Sequence, residues 1–228
     1  MSERPIVIAG SGLAGWTVAR ELRALSSDRP ITLVTANSGD FYSKPMLSNA
    51  FAQGKSPANL LQATGAAQAA KYDVTLMANT TVTSIEAAQR TLQVGSTQLP
   101  YGDLVLALGA APVRLSLPGA AFICSVNDWW DYAAFRDRMS RAPNPAAVRV
   151  VILGAGLIGC EFANDLAGAG HSVTLVDPGE RKLKQLTNEG DSVRLKKGLH
   201  GLRVSFRSGK AARAVNEALH GSYSVDLS

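Results

Sequence analysis

The chain has 228 residues, 46% hydrophobic and 18% charged, with a net charge of +5. These values exclude a disordered or fibrous chain and fit one or two globular domains with a real core. No apolar run approaches the roughly 20 residues of a membrane-spanning helix, so no membrane partner is expected. The start, "MSERPIVIAG", carries no basic segment, apolar stretch and cleavage site for export, which leaves the cytoplasm as the expected compartment. The two cysteines, Cys124 and Cys160, have neither disulfide-framework nor metal-ligand spacing, so no metal is expected.

In chain order, "PIVIAG" (5–10) reads as a buried parallel strand, rich in β-branched residues and closed by glycine. Ala14, Val18, Leu22 and Leu25 then fall at helical spacing, and "ITLVTA" (31–36) reads as the next strand. Residues 37–70 show no clear period. "DVTLMAN" and "TVTSIEA" read as short strands, and turns are expected near Gly95 and Gly102. "DLVLALG" (103–109) is a strand, and Pro112 and Pro118-Gly119 interrupt the chain after it. A helix is expected over 126–142, with Trp129 and Trp130 as core and interdomain packing residues rather than stacking ones, and "PNPA" as a connector. A second strand–helix–strand unit follows: "VRVVILG", a helix from Leu157 to about 169, and "HSVTLVD" (171–177). A helix near 191–199, a strand near 202–206 and strand-like "SYSVDLS" complete the chain.

The charge excess sits at the end, where residues 178–228 carry ten Lys/Arg against five Asp/Glu. No aromatic residues interleave the basic ones at a base-stacking spacing, so this stretch reads as a solvated face and no nucleic-acid partner is expected.

The same nine-residue device occurs twice: "VIAGSGLAG" (7–15) and "VILGAGLIG" (151–159). Each carries G-x-G-x-x-G, as Gly10, Gly12, Gly15 and Gly154, Gly156, Gly159. The first glycine makes a tight turn, the second lets backbone approach a pyrophosphate, and the third packs helix on strand. The pyrophosphate would sit at the helix N-terminus. Both copies follow a strand, open a helix and lead into a second strand, which is the context the motif needs. The fold class is therefore α/β with two Rossmann-type units and two dinucleotide sites. Asp177 ends the second strand of the second unit, where a carboxylate takes the ribose hydroxyls of NAD and repels a 2′-phosphate. Arg181 and Lys182 nearby would soften that preference, and a helix cap or a plain strand-end turn residue is the alternative for Asp177. In the first unit the corresponding place reads Thr35-Ala36-Asn37, without a carboxylate.

The segments "FYSKPMLS" (41–48), "DLVLALGAAP" (103–112), "VNDWWDYAAFR" (126–136) and "VILGAGLIGCEFANDLA" (151–167) together resemble the FAD-dependent pyridine nucleotide oxidoreductases, most of all the members that reduce rubredoxin. The resemblance implies FAD on Gly10, Gly12 and Gly15, and NAD on Gly154, Gly156 and Gly159. It implies that Lys44 and Pro45 lie against the flavin, with the Lys44 cation stabilising the reduced form; an ordinary exposed lysine is the alternative. Val82 is placed beside the adenine and Gly109 under the flavin. Glu161 points toward the flavin–nicotinamide junction, or else is a first-turn acid favoured by the helix dipole. Residues 1–115 would form the first half of a FAD-binding domain and 116–228 an incomplete NAD-binding domain. No C-x4-C pair occurs in residues 37–60, so electrons would leave the flavin directly, without a dithiol. The resemblance implies rubredoxin as the acceptor. A [2Fe–2S] ferredoxin, or oxygen as in an NADH oxidase, is the alternative acceptor. Such enzymes continue past this length into a second FAD segment and a C-terminal domain. The chain is thus expected to be an N-terminal portion that retains flavin weakly or not at all, or a non-catalytic remnant.

Overall fold

The computed structural model describes residues 4–25, 28–180, 189–218 and 221–228, so Arg181 and Lys182 lie outside the described residues. The chain forms two compact units, Met1–Lys44 with Asn59–Ala111, and Pro45–Ala58 with Pro112–Ser228.

In the first unit, β1 (Ile6–Ala9) and β2 (Ile31–Val34) are buried at every residue, as their apolar, β-branched character demands, with Thr32 the one polar residue among them. With β5 (Thr75–Met77) and β9 (Asp103–Leu106) they make a parallel sheet of order β5-β2-β1-β9. Alternation along the strands feeds two cores. Ile8 and Leu33 pack with Trp16 and Ala19 of α1 (Leu13–Leu25), which lie one turn apart on its buried face. The Trp16 indole donates to the Gly39 carbonyl at 2.9 Å, which satisfies its buried N–H. Val7 and Val34 point the other way, toward Leu92, Val94 and Tyr101 of an antiparallel sheet, β6 (Val82–Glu86), β7 (Thr91–Val94) and β8 (Thr97–Pro100) with the residue after it.

Some boundaries moved, each for a local reason. The stretch without a clear period contains β3 (Phe41–Tyr42), a 3-10 helix over Lys44–Ser48, β4 (Leu61–Ala63) and the start of α2 (Gly65–Tyr72). α2 was not expected from periodicity. Thr64 caps its N-terminus by accepting the Ala67 N–H at 3.1 Å, and Asp73 ends it in the left-handed region at φ 48°. The strand expected to reach Gly109 stops at Leu106, and Gly109 turns at φ 68°.

In the second unit, β10 (Arg149–Leu153), β11 (Ser172–Asp177) and β12 (Val204–Ser208) form a parallel sheet in that order. Val173, Leu175 and Val204 pack against Cys160, Ala163 and Leu166 of α4 (Leu157–Gly168) and Leu199 of α5 (Glu189–His200). α3 (Trp129–Ser140) is shorter than expected because Asp128 caps it, its carboxylate accepting the Asp131 N–H at 2.8 Å. Of its two tryptophans neither joins the core. Trp130 is 37% exposed, and Trp129 is half-buried with its indole donating to the Pro57 carbonyl at 2.8 Å. β13 (Ala212–Glu217), unforeseen in the sequence, pairs antiparallel with β14 (Tyr223–Leu227), the strand-like "SYSVDLS". The α/β class and both Rossmann-type units are thus present.

Candidate functional site

The two glycine loops follow similar backbone paths, although a Cβ on Gly10 would lie 2.2 Å from the Ala107 carbonyl oxygen and one on Gly154 would meet nothing within 4 Å. Gly10 and Gly154 turn at φ 107° and φ 113°, a region that disfavours any side chain. A Cβ on Gly15 would lie 1.9 Å from the Gly10 carbonyl oxygen, and one on Gly159 would lie 2.1 Å from that of Gly154. These third glycines let the helix sit directly on the turn. Around Gly12 and Gly156 nothing lies within 4 Å of an added Cβ. The middle glycines therefore face open space, beside the free first-turn N–H groups of α1 and α4. Neither helix has an acidic residue in its first turn to compete with a phosphate. This is a cradle that fits a pyrophosphate, built twice.

The loops differ in what ties them to the next strand. The Gly10 N–H donates to the Val34 carbonyl and the Gly154 N–H to the Val176 carbonyl, both at 2.8 Å, so Thr35 and Asp177 hold equivalent places. Asp177 accepts the Ala155 N–H at 2.6 Å with one oxygen and the Gly179 N–H at 2.7 Å with the other. Its carboxylate is thus both a strand-end turn residue and a brace for the glycine loop. In the first unit the hydroxyls of Ser11 and Thr35 lie 2.8 Å apart, and both reach the Asn37 Oδ1 at 3.0 Å. That oxygen also accepts the Gly39 N–H at 2.9 Å. A neutral network replaces the carboxylate. G-x-G-x-x-G counting misses this network because the motif specifies neither the polar side chain at Ser11 nor those that follow the second strand at Thr35 and Asn37.

Lys44 and Pro45 are exposed and open the 3-10 helix. Val82 begins β6, half-buried opposite Val94, and Gly109 is exposed. Glu161 lies in the second turn of α4, since the helix begins at Leu157, and this removes the first-turn reading of that acid. Its Oε2 accepts the Ser48 hydroxyl at 2.6 Å. One turn further, Asp165 is 3% exposed and accepts the Phe51 and Ala52 N–H groups, each at 2.8 Å. Burial raises its pKa, against the lowering by those two bonds and by Arg136. Arg136 stacks 3.8 Å from the centroid of the Phe51 ring and donates to the Lys55 carbonyl and the Tyr132 hydroxyl, both at 3.1 Å. Burial raises the Tyr132 pKa. His171, edge-on to Phe51, has its pKa lowered by burial and then by the Arg136 charge. Its Nδ1 accepts the Val148 N–H at 3.2 Å. Asp165, Ser48 and Arg136 carry no motif, and only the fold brings them together.

Cys124 is exposed and Cys160 buried, and neither forms a disulfide. Among the described residues no cluster of His, Cys, Asp and Glu is placed to hold a metal ion, and no helix is long and apolar enough to cross a membrane.

Residues 4–226 match the pyridine nucleotide-disulphide oxidoreductase family. The chain belongs to this family. It is 41% identical over 226 residues to a rubredoxin-NAD(+) reductase of Alcanivorax borkumensis, covering 98% of this chain and 58% of the relative. It is 36% identical to a nitric oxide reductase FlRd-NAD(+) reductase of Aeromonas hydrophila, covering 90% of this chain and 52% of that protein. The chain therefore spans a little over half the length of these curated relatives. Among solved structures, the covalent putidaredoxin reductase–putidaredoxin complex superposes with a TM-score of 0.86 at 27% identity, covering all of this chain and 55% of the other.

Proposed function

We propose that this chain carries the two nucleotide sites of an NADH-dependent flavoprotein reductase, with FAD on the Gly10–Gly15 loop and NADH on the Gly154–Gly159 loop. The flavin, when bound, accepts a hydride and gives up electrons singly. The observation that carries this reading is the paired cradle: two open middle glycines, each at a helix N-terminus free of acid. Gly12 and Gly156 let backbone approach the two pyrophosphates, and the first-turn amides of α1 and α4 face their charge. Asp177, held by Ala155 and Gly179, offers remaining lone pairs to ribose hydroxyls and repels a 2′-phosphate, which favours NADH over NADPH. Lys44 and Pro45 face the flavin, with Lys44 supplying positive charge. Val82 lines the adenine side, Gly109 passes under the flavin, and Glu161 serves the hydride-transfer end of the second unit.

The acceptor in this reading is rubredoxin, on the strength of the Alcanivorax relative's name. A ferredoxin is the second reading, favoured by the likeness to a reductase solved with putidaredoxin. The protein would work in the cytoplasm. The test is anaerobic addition of NADH to the flavin-loaded protein, followed by rubredoxin, ferredoxin or oxygen. Bleaching of the visible flavin band by NADH, and its fastest return with rubredoxin, is the expected result. A flavin left oxidised by NADH overturns the reading, and a faster return with ferredoxin or oxygen reassigns the acceptor.

A further inference from the structure

Glu161 and Asp165 stand one turn apart on α4, and both engage the segment Pro45–Ala58. A carboxylate 3% exposed is costly to bury, and an apolar residue of similar size would fill the space more cheaply. Here both oxygens are spent on adjacent backbone N–H groups of Phe51 and Ala52. Those amides sit where the chain leaves the 3-10 helix and turns back, with Gly54 N–H donating to the Phe51 carbonyl and Lys55 N–H to that of Ala50, both at 3.0 Å. One turn past Asp165, a Cβ on Gly168 would stand 3.3 Å from the Ala52 Cβ, so helix and segment approach closely. From α3, Arg136 binds the Lys55 carbonyl and Trp129 that of Pro57. The segment is held by directional bonds at residues 48, 51, 52, 55 and 57, and its Phe51 ring is packed between Arg136 and His171. Bonds of this kind fix position more tightly than apolar packing does.

We propose that Asp165 is a positioning residue: by gripping the Phe51 and Ala52 amides it sets the backbone of residues 45–52, and through the Ser48 hydroxyl it sets the carboxylate of Glu161 at the hydride-transfer end of the second unit. This rests on the functional reading of Glu161 given above. Asp165 itself touches no cofactor. Its influence runs through the backbone of residues 45–52 and through the Ser48–Glu161 bond.

The test compares the whole chain with Asp165→Asn, which keeps the shape and one acceptor oxygen but faces an N–H with an amide donor. The first readout is amide hydrogen exchange and needs no cofactor. Exchange at Asn49, Phe51 and Ala52 should rise by about tenfold or more, while the amides of β11 and β12 stay protected. The second readout is flavin reduction by NADH in the loaded protein. The rate constant at saturating NADH should fall by about tenfold or more, with the half-saturating concentration changed less than about twofold. Should Asp165→Asn unprotect the sheet as well, Asp165→Ser carries the same comparison. Unchanged exchange at residues 49–52 overturns the proposal. So does faster exchange with an unchanged reduction rate, because Asp165 is then only a structural cap. Wild-type flavin that NADH leaves oxidised overturns the functional reading, and the proposal falls with it; a wild type that is reduced beside an equally fast variant sinks the proposal alone.

Discussion

The two glycine-loop units share a backbone and differ in how the loop is anchored. β1 pairs with strands on both sides and is buried throughout, whereas β10, among the described residues, pairs with β11 alone and leaves Val151 44% exposed. The first loop is tied to its second strand by the neutral Ser11–Thr35–Asn37 network, the second by the Asp177 carboxylate. The lesson is that the glycine pattern specifies a backbone path, while the residue after the second strand specifies the electrostatics of the site. A carboxylate there suits ribose hydroxyls and excludes an added phosphate. A hydroxyl–amide network leaves the first site neutral at the same place.

The largest effects should come from the glycines that cannot accept a Cβ. Gly15→Ala and Gly159→Ala force a side chain into a carbonyl 1.9 Å and 2.1 Å away, and each should destabilise its own unit by about 3 kcal/mol or more. Urea unfolding followed by unit-resolved hydrogen exchange checks this; equal loss in both units would break the comparison. Next is Asp177→Ala, which strands the Ala155 and Gly179 amides and should cost about 1–3 kcal/mol as well as discrimination between NADH and NADPH. Ser11→Ala removes neutral bonds only and should cost about 1 kcal/mol, so the ratio of the two losses by chemical denaturation sharpens the contrast.

The smallest effect is a change of slope with pH. His171 has a lowered pKa in the folded state, so the unfolded chain takes up its proton first. Its contribution is complete above about pH 6.5 and is lost as pH falls through the lowered folded value. His171→Asn keeps an acceptor for the Val148 N–H and should flatten this acid-side loss of thermal stability. Asp165 works in the opposite sense: its raised pKa means a contribution that is lost as pH rises from about 3.9 through the folded value. Asp165→Asn should remove that part of the slope.

Much of this was legible in the sequence. Short apolar runs, some closed by glycine, located the strands of both parallel sheets, and the repeated G-x-G-x-x-G located both cradles. What was hidden has physical causes. α2 is too short and too rich in alanine to show a period, and only the Thr64 cap marks it. β13 alternates weakly, with one buried residue, Val215, among exposed and half-buried ones. The Asp165 cluster joins residues more than 100 positions apart in the chain, from Phe51 to Asp165, and no local pattern encodes such a contact. The place of Thr35 and Asn37 was legible, but their role was not, because a neutral network offers no charge to look for.

The central claim is a division of labour between the two cradles, and ligand titration of four variants tests it most directly. Ala at Gly12 or Gly156 meets no protein atom within 4 Å, so Gly12→Ala and Gly156→Ala should leave stability within about 0.5 kcal/mol of wild type and act on ligands alone. The account predicts that Gly156→Ala and Asp177→Ala weaken NADH binding while leaving FAD binding near wild type, and that Gly12→Ala and Ser11→Ala do the reverse. NADH binding that is insensitive to Gly156, or one substitution that abolishes both ligands without unfolding the chain, would contradict it.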